Sequence, residues 1–431
     1  MQTRFTEEQL ATPDIARADD ILRKCVHCGF CTATCPTYLV TGDERDSPRG
    51  RIWLIRELLE GKAEDPEVAG HHLDRCLTCL SCMSTCPSGV DYMHLADIGR
   101  RHAAQTRKRP YFDRLIRKVL VEVLSRRMLA YIMLLLASFI RPFSGILPRR
   151  IAAMLKVAPA SFPRLDRTGA KDNIFYTTKT PARARVAMLA GCAQRAIDPD
   201  INAATIRLLN RLGVDVVVRK GASCCGALAH HGGDETAAHD RMSETIRAWS
   251  NELRYRKLDA IVVNASGCGT TVKDYGDAFR HDSTLAEEAA KISSLALDIT
   301  EFIDRIGLGP IDPTVGEGKT VTYHSACSMQ HGQRIRSLPK ELLGKAGFSV
   351  REPAESHICC GSAGIYNALQ PEISQDLQKR KIANLDASGG DLVAAGNLGC
   401  INQMARAKAP VVHTIELLDW ATGGPKPRKL R

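Results

Sequence analysis

The sequence has little or nothing of several features that mark other classes of protein. Aromatic residues make up only 5% of the chain and form no base-stacking motif, which argues against nucleic acid as a partner. No G-x-G-x-x-G fingerprint follows a predicted strand, so neither NAD nor flavin is predicted in this chain. Residues 1–17 lack the apolar core of a signal peptide, so export by the general route is not expected. The apolar run 128–140 has 13 residues, whereas a transmembrane helix needs roughly 20.

Cysteine, by contrast, is abundant, with 16 in 431 residues. Without a secretion signal, this number indicates a reducing, cytoplasmic compartment, where thiols serve as metal ligands rather than as disulfides. Half of the cysteines form two copies of the pattern C-x-x-C-x-x-C-x-x-x-C-P. The first copy consists of Cys25, Cys28, Cys31 and Cys35, and the second consists of Cys76, Cys79, Cys82 and Cys86.

This spacing is that of the two cubane clusters of bacterial-type ferredoxins. Three thiolates at i, i+3 and i+6 wrap one cube, and the fourth reaches the neighbouring cube because the chain moves away. Zinc is the alternative, although structural zinc sites use paired C-x-x-C units. The pattern therefore predicts crossed ligation of two [4Fe–4S] clusters, one by Cys25, Cys28, Cys31 and Cys86, and the other by Cys76, Cys79, Cys82 and Cys35.

The segment between the two copies predicts helices, whereas compact ferredoxins have hairpins there. Ser47 and Pro48 mark a helix start, apolar residues follow at helical spacing, and Gly61 is a stop. A second short helix is predicted over residues 66–74. We therefore predict a helical ferredoxin-type domain, of the kind that transfers electrons within larger complexes.

The next segment is both basic and apolar. Residues 100–127 contain ten basic residues and only two acidic ones, which accounts for most of the net charge of +11. Helices are predicted over 93–108 and 111–139, the second including most of the apolar run 128–140. Two interpretations stay open, namely contact with an anionic membrane surface and packing of a helical hairpin against a neighbouring subunit. Residues 159–183 are predicted to be a linker.

The other half of the cysteines form an internal duplication. In each copy a single cysteine is followed 32 positions later by a Cys-Cys-Gly segment, and a last cysteine comes 43 or 40 positions after the pair. Agreement of this kind in order and spacing is not chance. The first copy comprises Cys192, Cys224, Cys225 and Cys268, and the second comprises Cys327, Cys359, Cys360 and Cys400.

Each copy alternates predicted strands and helices, which is typical of parallel β-α-β units. The cysteines fall at the carboxyl ends of the strands or in the loops after them, where sites in open α/β sheets lie. We therefore predict further metal–sulfur ligation, with buried structural cysteine as the alternative. A structural role is favoured over ligation for each of the nearby histidines, which are His230, His231, His324, His331 and His357.

The predicted fold is a multidomain α+β protein. A helical ferredoxin-like domain with two 4Fe–4S motifs spans residues 1–100. The basic and apolar helical connector, with the linker, spans 101–183. Two duplicated α/β cysteine-rich domains follow, over residues 184–310 and 318–422.

The segments CVHCGFCTATCPTY, CLTCLSCMSTCPSGV, ASGCGTTVKDYG and ICCGSAGIY closely resemble the iron–sulfur subunit of bacterial glycolate oxidase, also called glycolate dehydrogenase. The second half is similar to the CCG domains of heterodisulfide reductase, anaerobic glycerol-3-phosphate dehydrogenase and lactate-utilisation proteins. The resemblance covers nearly the whole chain and is weakest over 100–185. The heterodisulfide reductase pattern ends in C-x-x-C, whereas Thr271 and Gln403 stand at the last position here, so each copy has four cysteines.

The resemblance implies an oxidoreductase complex in which FAD-carrying flavoprotein subunits oxidise glycolate to glyoxylate, or D-lactate to pyruvate. This chain would pass the electrons to a membrane or quinone acceptor at the cytoplasmic face of the inner membrane, and no residue in it would act on the substrate. The alternatives are the iron–sulfur subunit of a glycerol-3-phosphate or lactate dehydrogenase, and a heterodisulfide-reductase-like enzyme.

Overall fold

Helices form the N-terminal part of the chain, as the spacing of its apolar residues predicts. The computed structural model describes residues 1–107, 109–146, 155, 164 and 166–431. Its first α-helices are α1 (Glu7–Leu10), α2 (Pro13–Lys24), α3 (Pro36–Thr41), α4 (Pro48–Leu59), α5 (Pro66–Asp74), α6 (Ser81–Thr85) and α7 (Tyr92–Thr106). This part is the helical ferredoxin-type domain predicted above, and the helix expected over 66–74 is confirmed.

Helix α4 lies at the centre of this domain. The Ser47 hydroxyl accepts a hydrogen bond from the Gly50 N–H at 3.0 Å. Pro48 occupies the first turn, where the absence of an N–H group costs no hydrogen bond within the helix. The buried face of α4 packs against α7, where a Cβ atom at Gly99 would lie 2.7 Å from the Ile55 side chain. Glycine at this position therefore allows the two helices to approach closely.

Two helices, α8 (Tyr111–Ser125) and α9 (Arg127–Ile140), form where a single helix over 111–139 is predicted. The break occurs at Arg126, whose backbone is extended. Many apolar side chains of the pair are exposed, and we call this set the apolar face: Tyr111, Phe112, Leu115, Val119, Met128, Leu129, Ile132, Met133, Leu136, Phe139 and Ile140. Among the residues described above, no helix combines the length and the apolar character that a membrane crossing requires.

The basic residues before and within α8 are largely paired inside the protein. Arg107, Arg109 and Arg117 all contact the Asp74 carboxylate, at N–O distances of 2.8, 2.9 and 3.3 Å. Burial alone would raise the pKa of Asp74, but the three guanidinium groups lower it below its ordinary value. Lys108 lies outside the described residues. Much of the positive charge thus attaches α8 to the first domain, and less of it faces solvent than the sequence indicates.

The first α/β domain is built on a five-stranded sheet in the order β1-β3-β2-β4-β5, parallel except for β1. Its strands are β1 (Asn173–Phe175), β2 (Ala184–Met188), β3 (Val214–Val218), β4 (Ala260–Val263) and β5 (Ala296–Asp298). Its helices within the described residues are α10 (Gln194–Ile197), α11 (Asp200–Arg211), α12 (Ala227–Gly232), α13 (Glu235–Tyr255), α14 (Ser266–Lys273), α15 (Tyr275–Ala278), α16 (Ala286–Leu295) and α17 (Ile299–Ile306).

Strand β1 lies in the segment predicted to be a linker, so that prediction is wrong for residues 173–175. This edge strand pairs with β3 in the antiparallel direction. It is three residues long, too short for an alternating pattern to show in the sequence. Residues 159–163 and 165 of the predicted linker lie outside the described residues.

The second α/β domain repeats the core of the first with a parallel sheet in the order β7-β6-β8-β9. Its strands are β6 (Thr320–His324), β7 (Ser349–Arg351), β8 (Leu392–Ala395) and β9 (Val411–His413). Its helices are α18 (Pro313–Gly316), α19 (Leu338–Lys345), α20 (Tyr366–Leu369), α21 (Pro371–Ala387), α22 (Leu398–Gln403) and α23 (Thr414–Ala421). The strand order matches β3-β2-β4-β5, so the predicted duplication is confirmed. Buried residues of both domains, such as Val186 and Val321, share one apolar cluster.

Helix α7 contacts the first α/β domain through charged side chains. His94 Nδ1 lies 2.6 Å from Asp91, and its Nε2 lies 3.1 Å from Asp274 across the interface. Burial opposes protonation, but hydrogen bonds to Asp274 and Asp91 raise the pKa of His94 to about 10. A second contact joins Asp97 to His230 at 3.1 Å, and the Asp97 charge raises the pKa of His230 to about 10. Both imidazoles are therefore charged at neutral pH, and they stabilise the docking of the two domains.

Candidate metal centres

The cysteines expected on the first cluster border one cavity. The cysteines that line it are Cys25, Cys28, Cys31, Cys82 and Cys86. The loop after α2 bends around the cavity because His27 and Gly29 adopt left-handed conformations, with φ of 57° and 86°. Burial raises the pKa of the Cys31 thiol to about 11. Cys86 comes from the second motif, so the two motifs meet at this cavity.

The cysteines expected on the second cluster border an adjacent cavity. Its cysteines are Cys35, Cys76, Cys79 and Cys82. Thr78 and Leu80 adopt left-handed conformations in the loop that carries the second motif, with φ of 49° and 63°. Cys35 comes from the first motif, and Cys82 borders both cavities, so the cavities lie side by side. This arrangement is compatible with crossed ligation, which stays a prediction.

A buried cation lies beside the second cavity. The Arg51 side chain is 1% exposed, and its Nη1 lies 3.9 Å from Cys35 Sγ. Its Nη2 lies 3.4 Å from the Asp46 carboxylate. Burial alone would raise the pKa of Cys76, but Arg51 and Arg100 lower it below its ordinary value. The two guanidinium groups therefore favour the thiolate form that metal ligation requires.

Three strand ends bring the cysteines of the first copy together. Cys192 follows β2, the pair Cys224 and Cys225 follows β3, and Cys268 lies in α14 after β4. The adjacent cysteines have different partners, because Cys224 contacts Cys192 whereas Cys225 contacts Cys268. A hydrogen bond with Cys192 lowers the pKa of Cys224 to about 6. One thiol of this pair thus ionises readily, as a metal ligand must.

The second copy repeats this pairing. Cys327 Sγ lies 3.7 Å from Cys359 Sγ, and Cys360 contacts Cys400. A hydrogen bond with Cys360 lowers the pKa of Cys400 to about 5. A ring nitrogen of His324 and the sulfur atoms of Cys360 and Cys400 all lie within 4.8 Å of one another. The four cysteines of each copy are therefore neighbours, as the α/β pattern predicts, and in the second copy a histidine joins them.

The second cavity lies next to the second cysteine-rich copy. Cys79 and Cys359 belong to one buried apolar cluster with Leu77, Ile358 and Tyr366. Burial, and after it the charge of Cys359, raises the pKa of the Cys79 thiol. The first cavity, the second cavity and the second copy thus form a continuous row of cysteine sites.

The histidines near the cysteines differ in their surroundings. His230 contacts an aspartate of α7, and His331 Nδ1 lies 2.8 Å from a serine hydroxyl of α6. His231 and His357 are exposed residues. His324 is 1% exposed, and its ring contacts the Cys400 thiol, a neighbouring cysteine of the site, rather than a separate structural partner. Structural partners thus account for His230 and His331 but not for His324.

Two family models match this chain, one over each group of eight cysteines. A 4Fe–4S dicluster domain matches residues 21–90, and a cysteine-rich domain matches residues 186–273 and again 321–405. The first match spans both ferredoxin motifs, and the second spans both copies of the duplication. The cofactors are therefore iron–sulfur clusters, with two [4Fe–4S] clusters in the first domain, and zinc is not supported there.

The glycolate oxidase iron–sulfur subunit of Escherichia coli (strain K12) is 38% identical over 98% of this chain and 99% of its own length. The chain belongs to the family of glycolate oxidase iron–sulfur subunits. Lactate utilization protein A of Oceanobacillus iheyensis is 26% identical over 54% of this chain and 96% of its own length. A crystal structure of a hypothetical protein from Helicobacter pylori has a TM-score of 0.55 at 10% identity, over 99% of this chain and 74% of that chain, and shows the fold alone. Membership of the family makes this chain an iron–sulfur subunit of an oxidoreductase.

Proposed function

We propose that this chain is the electron-transfer subunit of a flavin-dependent complex that oxidises glycolate to glyoxylate and D-lactate to pyruvate. The observation that carries the proposal is the continuous row of cysteine sites, in a chain that is 38% identical to the Escherichia coli glycolate oxidase subunit. FAD belongs to the partner flavoprotein subunits. No side chain of this subunit acts on the substrate.

The proposed ligands are those that the cysteine pattern predicts, and the cavities support them. One [4Fe–4S] cluster is held by Cys25, Cys28, Cys31 and Cys86, and the other by Cys76, Cys79, Cys82 and Cys35. The cysteine-rich copies hold further metal–sulfur centres through Cys192, Cys224, Cys225, Cys268, Cys327, Cys359, Cys360 and Cys400. Support comes from the shared cavities of the first set and from the paired thiols, one of them readily ionised, in the second set.

A flavin releases electrons in pairs, whereas a [4Fe–4S] cluster accepts one electron at a time. The tasks of this chain are to hold the sulfur sites close together, to bury them and to set their reduction potentials. Near the second cavity, the positive charges of Arg51 and Arg100, which favour the thiolate of Cys76, would stabilise the added negative charge of a reduced cluster. Cys79 and Cys359 belong to the same group of buried apolar residues. The second cysteine-rich copy is therefore the neighbouring site to which the ferredoxin domain would pass electrons.

Replacing Cys79 with alanine is expected to reduce quinone-linked and dye-linked turnover of the purified complex to background. Reduction of the flavin by glycolate should continue, because the substrate meets only the flavoprotein subunits. Stopped-flow bleaching of the flavin and steady-state acceptor reduction measure the two steps separately. Cys28→Ala should behave in the same way, whereas Met83→Leu, which changes a neighbouring residue that is not a ligand, should keep both activities. Unchanged turnover in Cys79→Ala contradicts the proposal.

We also propose that the apolar face rests on the cytoplasmic surface of the inner membrane, where a quinone acceptor is available. Exposed apolar side chains continue along both α8 and α9, and Leu136 and Phe139 are 48% and 61% exposed. Arg114 and Lys118 lie on exposed positions of α8 and form no ion pair with any described residue. Apolar area flanked by such cations binds anionic membrane surfaces.

Changing Ile132 and Leu136 together to glutamate is expected to abolish sedimentation of the complex with phosphatidylglycerol-containing vesicles. The variant places two charges in the apolar area that would enter the lipid, while dye-linked turnover should persist. Tyr255→Glu, at a residue that is 90% exposed on the first α/β domain, serves as the matched control and should still sediment. Loss of the flavoprotein subunits from the double variant would show instead that the apolar face is a subunit interface.

A second candidate is the iron–sulfur subunit of a lactate dehydrogenase, which the similarity to lactate utilization protein A favours. The two candidates differ in the flavoprotein partner, because that partner carries the substrate pocket. Flavin bleaching in the co-purified complex therefore separates them. Bleaching by glycolate supports the first candidate, and bleaching by lactate without any response to glycolate supports the second.

A further inference from the structure

The two cysteine-rich copies differ at one buried position beside the thiols. His324 is the last residue of β6 and lies three positions before Cys327. Leu189 lies three positions before Cys192, at the matching place of the first copy. Both side chains are 1% exposed. The duplication thus has an imidazole in one copy where the other copy has a hydrocarbon group.

The His324 ring has fewer partners than a buried imidazole needs. Both Nδ1 and Nε2 are buried, and the contact that the ring makes is with the Cys400 thiol, so at least one of the two nitrogens has no hydrogen-bond partner among the described residues. A buried polar group without a partner costs about 1–3 kcal/mol, and most such groups in proteins are paired. A ligand bound at the ring is the explanation that the neighbouring sulfur atoms favour.

The spacing of the three nearest ligand atoms fits a shared metal. A ring nitrogen of His324 and the sulfur atoms of Cys360 and Cys400 lie within 4.8 Å of one another. Two atoms bound to one metal at roughly 2.0–2.3 Å can be at most about 4.6 Å apart. Small side-chain movements are therefore enough to bring all three to the iron atoms of one centre. The three residues are buried, so water does not compete for the position.

We propose that His324 is a ligand of the iron–sulfur centre of the second copy, which therefore has mixed cysteine and histidine ligation. The first copy, with Leu189 at this position, binds through cysteine alone. The inference rests on the proposed function of these cysteines. The second copy also has four cysteines, so at a cluster with four ligand positions the neutral imidazole takes the place of one of these thiolates, and this exchange raises the reduction potential. Of the two copies, the second then accepts electrons more readily. It is also the copy whose Cys359 packs in the same group of buried apolar residues as Cys79 of the ferredoxin domain.

The test uses the complete complex, purified without oxygen from cells supplied with histidine labelled with ¹⁵N in the ring. Pulsed electron paramagnetic resonance of the reduced protein should show the strong coupling of a directly bonded imidazole nitrogen. His324→Leu should lose that coupling, and it introduces the residue that the first copy already tolerates. His357→Leu, at an exposed histidine of the same domain, is the matched control and should retain the coupling.

A second variant distinguishes loss of the nitrogen ligand from loss of folding. His324→Cys supplies a thiolate and should keep the iron of this copy, with no nitrogen coupling and with a lower potential in a redox titration. An unchanged nitrogen coupling in His324→Leu, or zinc instead of iron in this copy, overturns the proposal. So does a wild-type protein with about eight irons, all in the ferredoxin domain, a result that leaves the electron-transfer function standing. An iron-free protein would overturn that function itself.

Discussion

Replacing Cys28 and Cys35 together with alanine is expected to remove both [4Fe–4S] clusters, although the two residues belong to the same motif. Cys28 lines the first cavity and Cys35 lines the second, next to three cysteines of the other motif. With four irons per cluster, the expected loss is about eight irons for each protein. Iron and sulfide analysis with electron paramagnetic resonance of anaerobically prepared protein measures this loss.

The matched control combines Cys35→Ala with Cys79→Ala, which takes one cysteine from each motif but both from the second cavity. This variant is expected to lose only one cluster, or about four irons. Uncrossed ligation predicts the opposite pattern, in which the first double variant loses one cluster and the second loses both. The reverse result would therefore contradict crossed ligation. Circular dichroism of each variant establishes that the helices are retained.

Replacing Arg51 with leucine is expected to destabilise the folded protein by about 3 kcal/mol, near the lower end of the range for breaking a buried ion pair. Arg51 donates hydrogen bonds to the His72 carbonyl at 2.7 Å and to the Thr37 hydroxyl at 3.1 Å, and its other partner is Asp46. Asp46 keeps a contact with Arg75 at 2.7 Å, which limits the loss. Anaerobic urea denaturation of the wild type and the variant measures the difference.

The same substitution should lower the reduction potential of the second cluster. Arg51 places a positive charge beside Cys35 and Cys76, and without it the added negative charge of the reduced state is less stabilised. Redox titration followed by electron paramagnetic resonance measures this shift, with the first cluster as an internal reference. Arg51→Lys keeps the charge and should shift the potential less. Equal potentials in the leucine variant and the wild type would show that Arg51 acts only in folding.

The positions of the longer elements could be predicted from the sequence because their periodic patterns are local. The strand β3 (Val214–Val218) coincides with a β-branched segment of the sequence, and the helix α13 (Glu235–Tyr255) coincides with a segment of helical periodicity. The strands β5 and β9 give no such local signal. Each has three residues and is placed by pairing with its neighbour in the sheet rather than by its own pattern.

Ion pairs between residues that are distant in the chain could not be predicted from the sequence. The basic residues of the segment 100–127 indicate an anionic partner, yet Asp74 of the first domain binds three of them. Arg51 gives no signal in the sequence, because Arg49 and Arg56 on the same helix are equally basic and only packing buries Arg51. For His324, the equal spacing of the duplicated copies was the available signal, since its counterpart Leu189 is apolar.

The sequence by itself determined which metal chemistry this protein supports, because cysteine spacing within one loop sets how many thiolates reach one cluster. The duplication could also be recognised from the sequence, because the cysteine spacings of the two copies match. Only the tertiary structure decided that the second cavity lies beside Cys359, that Arg51 is buried next to Cys35, and that His324 faces two thiols. These contacts join residues far apart in the chain, and they depend on how the domains pack rather than on local order.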